Sequence, residues 1–316
     1  MNGIYGIYLN YSYNSEINAI INTIEESING KLIFSFRNRT QCKSNEEELN
    51  RIFIDIYWLQ DEIDSSVNDK DIVVRLADKD REIKSLLSYI IWCMVWRYSL
   101  DQKWLVYAWW KFDSSKYKTF EADDDWIIPV LYDSYFIDDV LDRTKEFVKK
   151  VWGKENFDEN WVCLAQSIDE WSTKSPDDII RNYFNKSFME DHFNTYQKRP
   201  IYRYFVSNSK KPKESAFKCI VYLHRYNKDT ISIIRSKYLY KFQSKLEEEL
   251  ARLSKEDSRT SEKRCDEIRK ELLEIWDYDK KLKDFVDKNI ELDLDDWVKI
   301  NYTKLMDAWI VAKLKI

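Results

Sequence analysis

The residues best suited to chemistry are crowded between Tyr196 and Gln243. Lys198, Arg199, Arg203, Lys210, Lys211, Lys213, Lys218, Arg225 and Lys228, followed by Arg235, Lys237 and Lys241, meet only Glu214 and Asp229. The stretch carries +10 in a chain whose formal charge is −5, so the remainder carries −15. Tyr196, Tyr202, Tyr204, Tyr222 and Tyr226 are interleaved with the cations. Cations for phosphates with planar groups for bases are what a nucleic-acid surface uses. The same pattern also fits tyrosines alternating into a core beneath solvated lysines.

Other chemistries find little support. Gly3, Gly6, Gly30 and Gly153 cannot form a phosphate loop or a dinucleotide turn. Cys42, Cys93, Cys163, Cys219 and Cys265 have no zinc or disulfide spacing, and only His192 and His224 are available for metal sites or triads. Neither a metal site nor a catalytic residue is expected. The "SPDD" at Pro176 is a helix start, with Ser175 as cap and proline in the first position. Asp138 and Asp139 point apart on a helix, which favours a solvated face over a metal pair. Glu121 to Asp142 holds eight acidic residues and no basic one.

Several elements must position the basic stretch. Residues 1–42 have weak periodicity. Ser44 to Ile63 reads as an amphipathic helix, with Leu49, Ile52, Phe53, Ile56 and Leu59 at helical spacing. "KDREIKSLLSYIIWCMVW" is a second, largely buried helix, and "LVYAWWKFD" and "WIIPVL" are short strands or extended segments. "SYFIDDVLDRTKEFVKKVW" and "SPDDIIRNYFNKSFMEDHFNTY" return to helix. "RPIYRYFVS" and "AFKCIVYLHRY", separated by the basic loop "NSKKPKES", predict a β-hairpin. Leu239, Phe242, Leu246, Leu250 and Leu253, then Cys265, Ile268, Leu272 and Ile275, predict an antiparallel helical hairpin of coiled-coil type. The expected class is mainly α with small β elements. It divides into an N-terminal segment 1–42, a helical domain 43–195, a basic hairpin 196–230 and a C-terminal helical hairpin with a terminal element 231–316. No apolar run approaches the ~18 residues of a membrane span, and the N-terminus lacks the features of a signal peptide. A cytoplasmic protein is expected.

Four segments together resemble one family. "NEEELNRIFIDIYWLQDEI", "RYSLDQKWLVYAWWKFDSSKY", "TYQKRPIYRYF…AFKCIVYLHRYNKDT" and "IELDLDDWVKINYTKL" are similar, in order, to the C-terminal half of the PglX-type adenine-specific DNA methyltransferases of BREX phage-defence systems. The resemblance runs from about Asn45 to Leu305. It implies target recognition and complex assembly on double-stranded DNA, with S-adenosylmethionine bound by a catalytic half. Adenine chemistry needs an "[N/D/S]PP[Y/F]" motif, but Pro129, Pro176, Pro200 and Pro212 are all isolated. The cofactor-binding motif is not found in this sequence either, so no cofactor is expected in this chain and no activity is expected of it alone. Expected partners are DNA, the catalytic half and other BREX components. The runner-up is a protein-interaction module that docks the catalytic half through the C-terminal helices, or meets an acidic DNA mimic. A third reading is a nonfunctional gene fragment.

Tryptophan usage is anomalous. The chain has 13 Trp and 4 Gly, where ordinary usage of about 7% glycine predicts roughly 22. The resemblance places family glycines at Trp58, Trp92, Trp96, Trp109, Trp110 and Trp297, and Trp104 follows the pattern. Packing does not substitute tryptophan for glycine site after site, because the two differ greatly in volume and backbone freedom. The expectation is that UGA encodes glycine in the source genome and has been read as tryptophan. Trp152 and Trp276 match no family glycine, and Trp126, Trp161, Trp171 and Trp309 are not assigned by the resemblance.

Overall fold

β-branched and aromatic residues at the predicted hairpin build the centre of the molecule. The computed structural model describes residues 37–68, 79–102, 105–107, 111–195, 202–256, 258–288, 292 and 298–312. Strands β2 (Tyr202–Val206) and β3 (Lys218–Tyr222) pair antiparallel, with Tyr202 opposite Tyr222 and Val206 opposite Lys218. Strand β1 (Ile127–Pro129) pairs with the other edge of β3, giving the order β1-β3-β2. Pro129 lacks an N–H and sits on an edge strand, where that loss is tolerated. The free edge of β2 is covered by the chain near Val311: Val206 N donates to Ile310 O at 3.0 Å and Ala312 N to Tyr204 O at 3.0 Å. Covering an edge in this way removes a site for unwanted strand pairing.

Every residue of β1, β2 and β3 is buried, so helices must cover both faces of this sheet. Side chains alternate along a strand with period two. One face carries Tyr202, Tyr204, Ile220 and Tyr222. It meets α2 (Lys79–Met94), α5 (Pro176–Lys186) and α6 (Phe188–Thr195). There Tyr202 Oη lies 2.8 Å from His192 Nδ1 and 3.2 Å from Ser88 Oγ, and Tyr204 Oη donates to Phe184 O at 2.6 Å. Burial holds the His192 imidazole well below its usual pKa, so this interior contact is made by neutral groups. On the opposite face, Phe217 packs against Phe242 and Tyr278, with ring centroids 6.1 and 6.2 Å apart. Those rings belong to α8 (Tyr240–Leu253) and α9 (Arg259–Asp287).

The helix starts follow local chemistry. Asp139 caps α3 (Val140–Trp152) by accepting from Leu141 N, and Ser175 caps α5 by accepting from Asp178 N. Asp138 and Asp139 precede helix α3, so they are not at neighbouring helix positions, and neither faces solvent. Asp139 is fully buried beside Arg181 at 3.1 Å, and Asp138 accepts from Tyr238 Oη at 2.7 Å. Burial raises the Asp139 carboxyl to about 6 despite the arginine. "SPDDIIRNYFNKSFMEDHFNTY" forms two helices, not one, broken at Ser187.

Helix α4 (Phe157–Ile168) was not anticipated, although Trp161, Leu164, Ala165 and Ile168 have helical spacing. Trp161 stacks on Phe157, and its Nε1 donates to Asp177 at 2.7 Å. The C-terminal helical hairpin forms as expected. A short helix α7 (Thr230–Ile233) continues through a π-helical segment, Ile234–Leu239, into α8, and α9 returns alongside. The pairs Arg235–Asp279 and Arg264–Glu249 fix the antiparallel sense. The remaining helices are α1 (Arg37–Tyr57), which starts before Ser44, and α10 (Val298–Asp307). Among the described residues, no helix is long and apolar enough to cross a membrane.

Candidate nucleic-acid interface

The fold separates the nine predicted DNA contacts into groups with different environments. Lys198 and Arg199 lie outside the described residues. Arg203 and Lys218 point into the molecule, with 3% and 1% of their surface exposed. Arg203 packs its guanidinium 5.0 Å from the Phe193 ring. Lys218 donates from Nζ to Asn185 O at 2.9 Å and lies 5.2 Å from the Tyr132 ring. A side chain so placed does not reach a phosphate without rearrangement.

Burial, helped by Lys186, pushes the Lys218 ammonium down to about 7 from 10.5. Between these values the unfolded chain holds the proton that the folded chain has released. Stability therefore rises with pH over that window, by up to ~1.4 kcal/mol per unit. Lys218→Met is expected to flatten the rise, as read from denaturation midpoints between pH 7 and 10.

Lys210, Lys211 and Lys213 occupy the exposed loop that joins β2 to β3. The loop is shaped by its own polar residues: Asn208 Oδ1 accepts from Lys211 N at 3.1 Å, and Ser215 Oγ from Asn208 N at 3.2 Å. A single 3-10 turn, Pro212–Glu214, follows. Lys211 pairs with Glu214 at 3.0 Å and Lys213 with Glu190 at 3.1 Å, all four side chains being well exposed. Such surface pairs contribute only ~0–1 kcal/mol, so exchanging a carboxylate for a phosphate costs little. Lys210 Nζ lies 5.5 Å from the Trp309 ring.

Lys228 is exposed beyond the opposite end of β3. A five-residue strand spans roughly 17 Å, so the outward lysines divide between the two ends of the hairpin, with Lys210, Lys211 and Lys213 at the loop and Lys228 at the other end.

Arg225 stands at the second end, just past β3 on a 3-10 turn, Leu223–Arg225. Its Cζ lies 4.4 Å from the Trp96 ring, 4.5 Å from Trp126 and 5.2 Å from Tyr107, and Nη1 donates to Tyr107 Oη at 3.1 Å. Trp96 in turn stacks on Phe112 at 3.6 Å. Nearby, Arg97 Nη1 donates to Tyr222 Oη at 3.2 Å, with its guanidinium 4.8 Å from the Trp92 ring. The tryptophan-rich segment and the basic hairpin, which the sequence treats separately, therefore meet at this corner. Below it, Lys237 Nζ and Tyr238 Oη donate to Asp125 at 2.6 and 2.9 Å, tying the π-helical segment to the acidic loop.

An exposed loop of shaped cations at one end, and an arginine among rings at the other, suit a polyanion with planar bases. Sequence comparison supplies the class: the chain is homologous to adenine-specific methyltransferases. It is 42% identical over 286 residues to adenine-specific methyltransferase PglX of Lacticaseibacillus casei (strain Zhang), covering 87% of this chain and 24% of that protein. It is 36% identical over 328 aligned positions to adenine-specific methyltransferase BrxX of Escherichia coli O9:H4 (strain HS), covering 94% of this chain and 26% of that protein. The chain thus spans about a quarter of the length of these relatives. No family model matches it.

Proposed function

We propose that this chain is the DNA target-recognition and assembly portion of a BREX-type adenine-specific DNA methyltransferase, with the chemistry supplied by the rest of such an enzyme. The observation that carries this reading is the match over most of this chain to only a quarter of two methyltransferases, in a sequence where the adenine-binding proline motif is not found. Double-stranded DNA is the partner, and Lys210, Lys211, Lys213 and Lys228 are the outward cations that meet its phosphates. Arg225 contributes at the corner beside the rings. S-adenosylmethionine binds elsewhere in the enzyme.

The test is to combine this chain with the remaining portion of the enzyme, then measure adenine methylation and duplex binding with and without it. Loss of both on omission of this chain supports the proposal; methylation and binding that do not depend on it would sink it.

Docking to the catalytic portion is favoured by a specific feature of α1. Leu49, Phe53 and Ile56 are 53%, 55% and 59% exposed, and Ile52 and Tyr57 lie beside them. An apolar stripe at helical spacing that the fold leaves in water marks an interaction face. The C-terminal hairpin buries Phe242, Leu246, Ile268, Ile275 and Tyr278 within the molecule and leaves Leu273 and Trp276 of α9 exposed. Phe53→Asp with Ile56→Asp is expected to reduce co-purification of the methyltransferase remainder at least tenfold, with the circular dichroism of this chain unchanged. Undiminished co-purification would remove α1 from the interface.

A further inference from the structure

Four residues other than glycine adopt positive φ among the described residues: Trp58 at 60°, Trp96 at 76°, Trp126 at 56° and Trp309 at 59°. All four are tryptophan. The left-handed region is populated by glycine and, secondarily, by asparagine and aspartate; a bulky side chain there is an outlier. We infer that these four positions are glycine in the protein as its source cell makes it.

The local backbone supports this independently of any relative. Helix α1 ends with Leu59 N donating to Ile54 O at 3.0 Å and Trp58 N to Asp55 O at 3.4 Å. Helix α2 ends with Arg97 N donating to Trp92 O at 3.0 Å and Trp96 N to Cys93 O at 3.4 Å. Both are the paired 6→1 and 5→2 bonds of a Schellman cap, whose left-handed residue is ordinarily glycine. At the end of α10, Trp309 N donates to Met306 O at 3.0 Å, and the hydrophobic pair that accompanies such caps, Leu305 and Ile310, is fully buried. Trp126 occupies the sharp turn between Asp125, whose carboxylate accepts from Ile127 N at 3.2 Å, and strand β1.

The chain also supplies its own controls. Gly153 takes a positive φ of 86° directly after α3. Trp152 and Trp161 lie within helices, and the second makes a well-formed hydrogen bond through its indole; Trp92, a glycine position by the resemblance, also lies within a helix, so a left-handed φ marks some recoded sites and not all.

A genome in which UGA specifies glycine, read with a table that assigns it tryptophan, produces this distribution together with the scarcity of glycine. The backbone extends that reading to Trp126 and Trp309. It also changes the candidate interface: with glycine at 96 and 126, the two indoles against Arg225 are absent, and its guanidinium keeps only the Tyr107 ring. The arginine then faces the opening left by them.

The test is peptide mass spectrometry of the protein isolated from its source cells, with the gene sequenced in parallel. Glycine masses at 58, 96, 126 and 309 over TGA codons, with tryptophan retained at 161, are the expected result. TGG codons or tryptophan masses at the four positions would overturn the inference.

Discussion

Exchange of the four left-handed tryptophans for glycine (Trp58→Gly, Trp96→Gly, Trp126→Gly and Trp309→Gly) is expected to stabilise the folded chain. Holding an L-residue in the left-handed helical region costs roughly 1–2 kcal/mol, whereas glycine gives back only about 0.5–1 kcal/mol in lost chain freedom. At Trp58, which is 86% exposed, little burial is forfeited, and a gain of about 1 kcal/mol follows from these terms. Trp96 and Trp126 decide the matter, being 5% and 7% exposed. If their indoles were selected parts of the core, truncating each would cost about 3–5 kcal/mol. If the surroundings evolved around glycine, the indoles overfill the corner and their removal relieves it. The two accounts differ in sign, and urea midpoints of the Trp96→Gly and Trp126→Gly single variants separate them.

The second large effect concerns DNA. Replacing Lys210, Lys211, Lys213 and Lys228 with alanine is expected to weaken duplex binding of the assembled enzyme uniformly across sequences. Each phosphate contact on B-DNA contributes about 0.9 to the slope of log affinity against log salt, so the four together remove about 3 to 4 from it. Lys211 and Lys213 give up only exposed pairs with Glu214 and Glu190, so the fold is expected to tolerate the change. Alanine at the buried Lys218 or Arg203 acts instead through stability, with the salt slope unchanged.

Much of the architecture is legible because period-specific patterns survive in it. The alternation in "YRYFV" and "KCIVY", the serine and proline at Ser175 and Pro176, and the leucine stripe of α8 each point to the element that forms. The environment of the cations is not legible. A strand covered on one face and a strand covered on both look alike when lysine and arginine are present, and only the packing of α5, α6, α8 and α9 around the sheet makes Arg203 and Lys218 interior residues. The same tertiary packing turns Asp139 from an expected surface acid into a buried cap, and unites Trp96 with Arg225 across a long stretch of sequence. The left-handed sites at Trp126 and Trp309 carry no local signature, since conformation and not residue type identifies them.

The most direct test of the DNA-recognition account is the salt dependence of duplex binding by the assembled methyltransferase, carrying either the native lysines or alanine at 210, 211, 213 and 228. The account predicts a steep slope that flattens by about 0.9 for each lysine removed, with affinity falling on every duplex tested. An affinity and slope unchanged by the four substitutions would contradict it.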